Sequence, residues 1–155
     1  MTALSSLLAL ILLAAALPAS ADPYDAFAPH APLRPDPALS REVILAGGGA
    51  THFACESADR NLRAYHGLYA GMHEFLDSWQ WFGGRREYSP ADAGGIEVWP
   101  FALRRRYDDG TVEEVFLPAE RNALLLTLTP GRDGPGLFRP WVDMRHIWKP
   151  GRNEY

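Results

Sequence analysis

The chain predicts an all-β fold, an antiparallel β-sandwich or a truncated piece of one. Short apolar or alternating runs are spaced by Gly, Pro and Asp turn signals. No helical pattern of useful length lies between them, which argues against βαβ units. The triplet Asp108-Asp109-Gly110, flanked by strand-like sequence, is a strong hairpin signal.

The first element is an export signal, residues 1–21. Leu7 to Leu17 is an unbroken apolar run, followed by Pro18 and the small-x-small pattern Ala19-Ser20-Ala21. Cleavage after Ala21 is expected, with a secreted or periplasmic mature chain. The alternative is a membrane anchor over residues 4–17, although such a run falls short of the ~20 residues a spanning helix needs. Met1-Thr2-Ala3 carries no Lys or Arg. Residues 22–40 read as a linker: proline recurs through Pro29–Pro37 and favours extended, polyproline-like chain, with His30 in solvent.

A β-domain is expected over residues 41–150, with a short tail at 151–155. Glu42–Ala46 is an apolar run closed by Gly47-Gly48-Gly49. Leu62–Ala70 alternates and stops at Gly71. Met72–Phe82 reads either as a short helix or as a strand with a crowded aromatic turn, extended structure leading into a Gly83-Gly84 turn being the preferred reading. Ile96–Tyr107 alternates as one strand with Trp99, Phe101, Leu103 and Tyr107 on one face. After the Asp108-Asp109-Gly110 turn, Thr111–Leu117 returns and Pro118 stops it. Ala123–Thr129 and Leu137–His146 complete the series, Pro140 marking the last as an edge or a bulge.

Several chemistries find no support. Net charge is −4, and three consecutive arginines (Arg104–Arg106) on a strand cannot all face one groove, so no nucleic-acid surface is expected. A single cysteine, Cys55, forms no internal disulfide and sits in the apolar segment Phe53-Ala54-Cys55, where a buried thiol is expected. The mature chain of about 134 residues must therefore build its core without disulfides. His52, His66 and His73 lack metal-ligand spacing, and no cofactor is expected. No Gly-x-Ser-x-Gly elbow exists, and the glycine triplet lacks the Lys-Ser/Thr of a phosphate loop. Glycoside hydrolysis needs two carboxyl groups in different protonation states. Glu56, Asp59, Glu74, Asp77, Glu97, Glu113, Glu114, Glu120 and Asp143 are available, but none is singled out. Asp143 alternates with Arg139 and Arg145, the wrong surroundings for a general acid.

Aromatic content remains. Five Trp and six Tyr are many for this length and suit either a sugar-binding surface or a β-core and interdomain face. Three motifs then point to a family. GGGATHFACESADRNLRAYHGLYAG, Gly47–Gly71, carries Asn61, Arg63, Tyr65, His66, Gly67 and Leu68 in the order Asn-x-Arg-x-Tyr-His-Gly-Leu. RRYDDGTVEEVFLPAERNALLLTLT, ending at Thr129, reads as a strand, a Gly turn, Glu-x-x-Phe-x-Pro and a further strand after Glu120-Arg121-Asn122. FRPWVDMRH follows within Leu137–His146. Together they resemble the N-terminal domain of bacterial and archaeal glycogen debranching enzymes of the amylo-α-1,6-glucosidase type.

That resemblance implies part of a super-sandwich that precedes an α/α-barrel, which supplies the catalytic carboxylates. It implies a non-catalytic role here: supporting an α/α-barrel glycosidase domain or protein, contacting an α-glucan, or both. The alternatives are a stand-alone binding or interaction module of the cell envelope and, less favoured, a glycoside hydrolase in its own right. The ligand-binding candidates are Asn61, Arg63, Tyr65 and His66, with Trp99 or Trp141 as stacking rings. Alternation over Leu62–Gly71 places His66 with Leu68 on an apolar face as a buried, hydrogen-bonded imidazole, and Arg63, Tyr65 and Tyr69 in a polar aromatic stripe over glycines.

Overall fold

A computed structural model describes residues 31–47, 50–61, 65–119, 121–132 and 136–142. The expected signal segment and its cleavage site, His30, Gly48, Gly49, Leu62, Arg63, Glu120, Asp143, Arg145, His146 and the tail lie outside these residues.

The described chain is all-β, with strands in three antiparallel sheets and a single 3-10 turn at Pro90–Asp92. Four strands, β1 (Glu42–Ala46), β2 (Thr51–Glu56), β3 (Gly67–Ala70) and β4 (His73–Leu76), form sheet I in sequential order. β5 (Ser78–Gly83) and β6 (Arg86–Tyr88) belong to sheet III, with β11 (Gly136–Trp141) on the other side of β5. Sheet II is the meander β7 (Ala93–Trp99), β8 (Ala102–Tyr107), β9 (Val112–Phe116) and β10 (Leu125–Thr129). Only Asp77 separates β4 from β5, so sheets I and III meet at one continuous stretch of chain.

One core joins the three sheets. Sheet I contributes Leu45, Phe53, Cys55, Leu68 and Leu76; sheet II contributes Ile96, Leu103, Tyr107 and Val115; sheet III contributes Tyr88, with Trp79 and Trp81 packed against the cluster. This is the layered arrangement expected of a sandwich, in which alternate residues of each strand are buried. β9 shows it directly: Glu113 and Val115 are buried while their neighbours are only partly so.

Most elements follow the sequence reading. β1 has the expected bounds, and Met72–Phe82 is extended, entering a turn at Gly84 (φ +60°). β11 lies at an end of the order β11-β5-β6, as Pro140 suggested. At the Asp108-Asp109-Gly110 loop, Gly110 takes φ +85°, which an L side chain resists. Its N–H donates to Tyr107 O, while the Tyr107 N–H donates to Thr111 O.

Two readings are corrected. Ile96–Tyr107 is a hairpin rather than one strand: Trp99 pairs with Ala102 across a Pro100-Phe101 turn. The reversal changes parity, so Trp99 shares a face with Ala102 in a small outer cluster with Phe101 and Phe116, while Leu103 and Tyr107 enter the main core. In the second case, the strand expected over Leu62–Ala70 begins, as described, only at Gly67, with Tyr65 in a turn. Gly67 has φ +140°, and a Cβ there would stand 2.6 Å from Leu76 O. Alternation cannot run through such a kink. Tyr65 is therefore exposed while Tyr69 is buried and stacked on His52 at 5.0 Å, and the two do not form one stripe.

The later part of the proline-rich segment docks on the sheets. Leu33 exchanges two backbone hydrogen bonds with Val98, on the free edge of β7. Arg41 and Ser57 are joined by two further bonds, one backbone and one to the Ser57 hydroxyl.

Candidate functional site

A cleft of about 270 Å³ lies where β5 and β6 approach the end of β2 and the inner face of sheet II. Its lining includes Asn61, Trp79, Gln80, Glu87, Tyr88 and Trp141, with Arg105 and Glu113 beneath. Aromatic rings beside an amide, a guanidinium and carboxylates form a surface that can take sugar C–H faces and hydroxyls together.

β-strand parity places these groups. Trp79 and Tyr88 belong to the core-facing side of sheet III, while Gln80 and Glu87 belong to the opposite side, and all four line the cleft. Asn61 is fixed from both ends: its Oδ1 accepts from Glu56 N at 3.4 Å, and its Nδ2 donates to Asp77 O at 2.8 Å. It thus ties the end of β2 to the joint between β4 and β5. Trp141 ends β11, its carbonyl accepting from the Asp77 N–H, with its ring partly exposed and the Arg139 guanidinium 6.0 Å away.

Beneath the cleft lies a buried ion pair. Arg105 Nη1 and Glu113 Oε2 are 2.8 Å apart, and both side chains are almost wholly buried. Arg105 also donates from Nε to Ser57 O and from Nη2 to Glu56 O, at 2.8 and 2.7 Å. Glu113 Oε1 accepts from Trp79 Nε1 at 2.7 Å, and its Oε2 from the Tyr107 hydroxyl at 3.3 Å. Burial alone would lower the Arg105 pKa, but the Glu113 carboxylate outweighs it and holds the guanidinium more firmly protonated than usual. Burial, with the Glu113 charge adding to it, pushes the Tyr107 phenol well above its ordinary range.

The other carboxylates of the cleft also have donors. Glu87 Oε1 accepts from Arg60 Nη2 and from Gln80 Nε2, each at 2.6 Å. Asp77 Oδ2 accepts from Ser78 Oγ at 3.0 Å, and Asp59 Oδ1 from Arg60 N at 2.7 Å. These bonds tie the carboxylates into the frame of the cleft. Cys55 also lines the cleft as a buried free thiol, pushed up to about 12 by burial, which is no nucleophile at neutral pH. Among the described residues no group of three His, Cys, Asp or Glu side chains could hold a metal ion.

Of the candidate ligand contacts, the cleft brings together Asn61 and Trp141. Tyr65 lies elsewhere, exposed, its hydroxyl donating to Glu42 Oε2 at 3.0 Å. His66 is wholly buried, as expected, but neither ring nitrogen finds a hydrogen-bond partner among the described residues; Nε2 stands 3.8 Å from Glu56 Oε1. Trp99 is buried on the outer face of sheet II with the Arg104 guanidinium 5.5 Å from its ring, so it presents no stacking face to the cleft. Arg63 is outside the described residues. The cleft residues that went unnamed as ligand contacts include Arg60, Trp79, Gln80, Glu87 and Tyr88. Only the register of β5 and β6 about the Gly84-Arg85 turn could have put the last four together from sequence.

No protein-family model, no curated protein and no solved structure matches the chain.

Proposed function

We propose that this chain is a non-catalytic β-sandwich domain of a glycogen-debranching type of glycoside hydrolase lineage, and that it contacts α-glucan at the cleft. The observation that carries the reading is the convergence of Asn61 and Trp141, chosen from sequence as ligand contacts, on one cleft with Trp79, Gln80 and Arg60. The three ordered motifs supply the lineage. Engagement of the cleft carboxylates by fixed donors favours binding over catalysis. The mature chain starts at Asp22 and is exported, which N-terminal sequencing of the secreted protein checks.

Affinity electrophoresis in gels containing glycogen, amylopectin or pullulan tests the reading. The native protein is expected to be retarded, and Trp141→Ala and Asn61→Ala to be retarded several-fold less. Absence of retardation by all three polymers would remove the glucan contact. A second role, support of an α/α-barrel partner, is favoured by the exposed apolar side chains Leu137, Trp141 and Val142 along and just beyond the edge strand β11. Its test is co-purification with a barrel-type hydrolase from the native source.

A further inference from the structure

Trp79 differs from Trp141, the other indole of the cleft, in how it is held. Its indole packs against the main core, with the Phe53 ring centroid 5.2 Å away, and it also lines the cleft. Its only polar atom, Nε1, donates to Glu113 Oε1 at 2.7 Å. The second oxygen of that carboxylate is taken by Arg105 at 2.8 Å and by the Tyr107 hydroxyl. Arg105 is in turn fixed to two backbone carbonyls, Glu56 O and Ser57 O, at the end of β2. An unbroken chain of hydrogen bonds therefore runs from the backbone of sheet I through β8 and β9 of sheet II to the indole on β5.

We propose that Glu113 is a positioning residue for ligand binding: held by Arg105, it sets the orientation of the Trp79 ring so that this ring, and not Trp99, is the fixed stacking platform of the cleft. The inference rests on the cleft being the glucan site. The chemistry requires a carboxylate at residue 113, because each of its two oxygens has a separate task. In a glutamine one of the two positions becomes an NH2 donor, which then faces either the Trp79 N–H or the Arg105 and Tyr107 donors. Pre-setting the ring would lessen the ordering cost that binding otherwise carries.

The experiment uses the mature protein labelled with 5-fluorotryptophan, with each ¹⁹F line assigned by single Trp→Phe variants and glycogen as the probe. Glu113→Gln is expected to shift or broaden the Trp79 line, to leave the Trp141 line in place, and to weaken retardation by glycogen at least threefold. An unchanged Trp79 line, or a changed line with native retardation, overturns the proposal. Glu113→Gln strands a buried guanidinium and can prevent folding, so a second variant leaves the ion pair intact: Trp79 replaced by benzothienylalanine, which keeps the bicyclic ring and lacks the N–H. A cooperative melt with several-fold weaker retardation supports the inference, and native retardation by this variant overturns it. If the native protein itself is retarded by no glucan, the functional reading fails by that result alone. The Trp79 line in Glu113→Gln still decides whether Glu113 fixes the ring.

Discussion

Arg104 and Arg105 are neighbours on β8 and both pair with glutamates of β9, yet they do different work. Arg105 faces inward, and its partner Glu113 is as buried as it is, with side-chain exposures of 4% and 3%. Arg104 faces outward. Its Nη2 meets Glu114 Oε1 at 2.8 Å and its Nη1 meets Glu97 Oε2 at 3.5 Å, but those carboxylates keep 18% and 16% of their side chains exposed. The outer groups form a row directly across four strands, Thr127, Glu114, Arg104 and Glu97, each opposite the next in register. That row braces one sheet. The inner pair instead joins all three sheets, through Trp79, Glu56 and Ser57. One step along a strand therefore turns a cross-strand brace into a tie between layers, because side chains alternate faces.

The sharpest way to break this contrast is Arg105→Met. It leaves the Glu113 carboxylate buried without its cation, and removal of one partner of a buried pair costs about 3–5 kcal/mol. Urea unfolding should show a loss of that size, or no folded protein at 25 °C. The double variant Arg105→Met/Glu113→Leu sharpens the comparison further. Replacing a whole buried pair by apolar groups is often neutral. Here it also leaves the Trp79 N–H and the side-chain contacts of Glu56 O and Ser57 O unmet, at about 1–3 kcal/mol for a buried group left unpaired. The double variant is expected to regain part of the single variant's loss and to remain about 2 kcal/mol below the native protein. Full recovery would mean that the tie sets ring placement and adds nothing to stability.

The contrast also marks what sequence could reveal. Alternation and turn residues disclosed β1, the extended chain of β4 and β5, and the Asp108-Asp109-Gly110 hairpin, because those signals are local. β2 was hidden by being buried on both faces: Phe53, Ala54 and Cys55 are all inaccessible, so no alternation shows. The Pro100-Phe101 turn was missed because no positive-φ glycine marks it, and the side-chain parity then misplaced Trp99. Of the cleft lining, sequence had singled out Asn61 and Trp141, as residue types that suit a sugar. The bonds that build the cleft were not legible, since Trp79 meets Glu113, and Arg60 meets Glu87, only after the sheets close. For the arginine run, sequence predicted that its charges would divide between faces. It could not say which of them would be buried against a carboxylate.

On the outer face the expected effects are smaller. Arg104→Ala removes the ion pairs to Glu114 and Glu97, both partly open to water, and the guanidinium that lies over the Trp99 ring. A loss of about 1–2 kcal/mol is expected from the charged hydrogen bond and the packing together. Part of it should fade when salt is raised from 0.05 to 0.5 M, on the order of what screening removes from surface pairs. A salt-independent loss as large as that of Arg105→Met would erase the distinction between the two arginines.

The smallest effect lies in acid. Partial burial pushes the Glu97 carboxyl up, but Arg34, Arg106 and Arg104 together outweigh it and hold the group below its ordinary range. The folded pKa is thus lower than the unfolded one. The stability that Glu97 contributes is present in full above the unfolded value and is lost as pH falls through the folded value. Asp109 behaves in the same direction: the Thr111 N–H, then the Thr111 and Tyr88 hydroxyls and Arg86, hold it down to about 2. The native protein should therefore lose stability progressively as pH falls below the ordinary carboxylate range towards about 2, the lower end of the Asp109 window. Glu97→Gln should flatten the upper part of that slope and Asp109→Asn the lower part, read as the change in Tm per pH step. If Glu97→Gln leaves the whole profile unaltered, the outer row contributes no pH-dependent stability, and its arginines serve only to cover the aromatic cluster around Trp99.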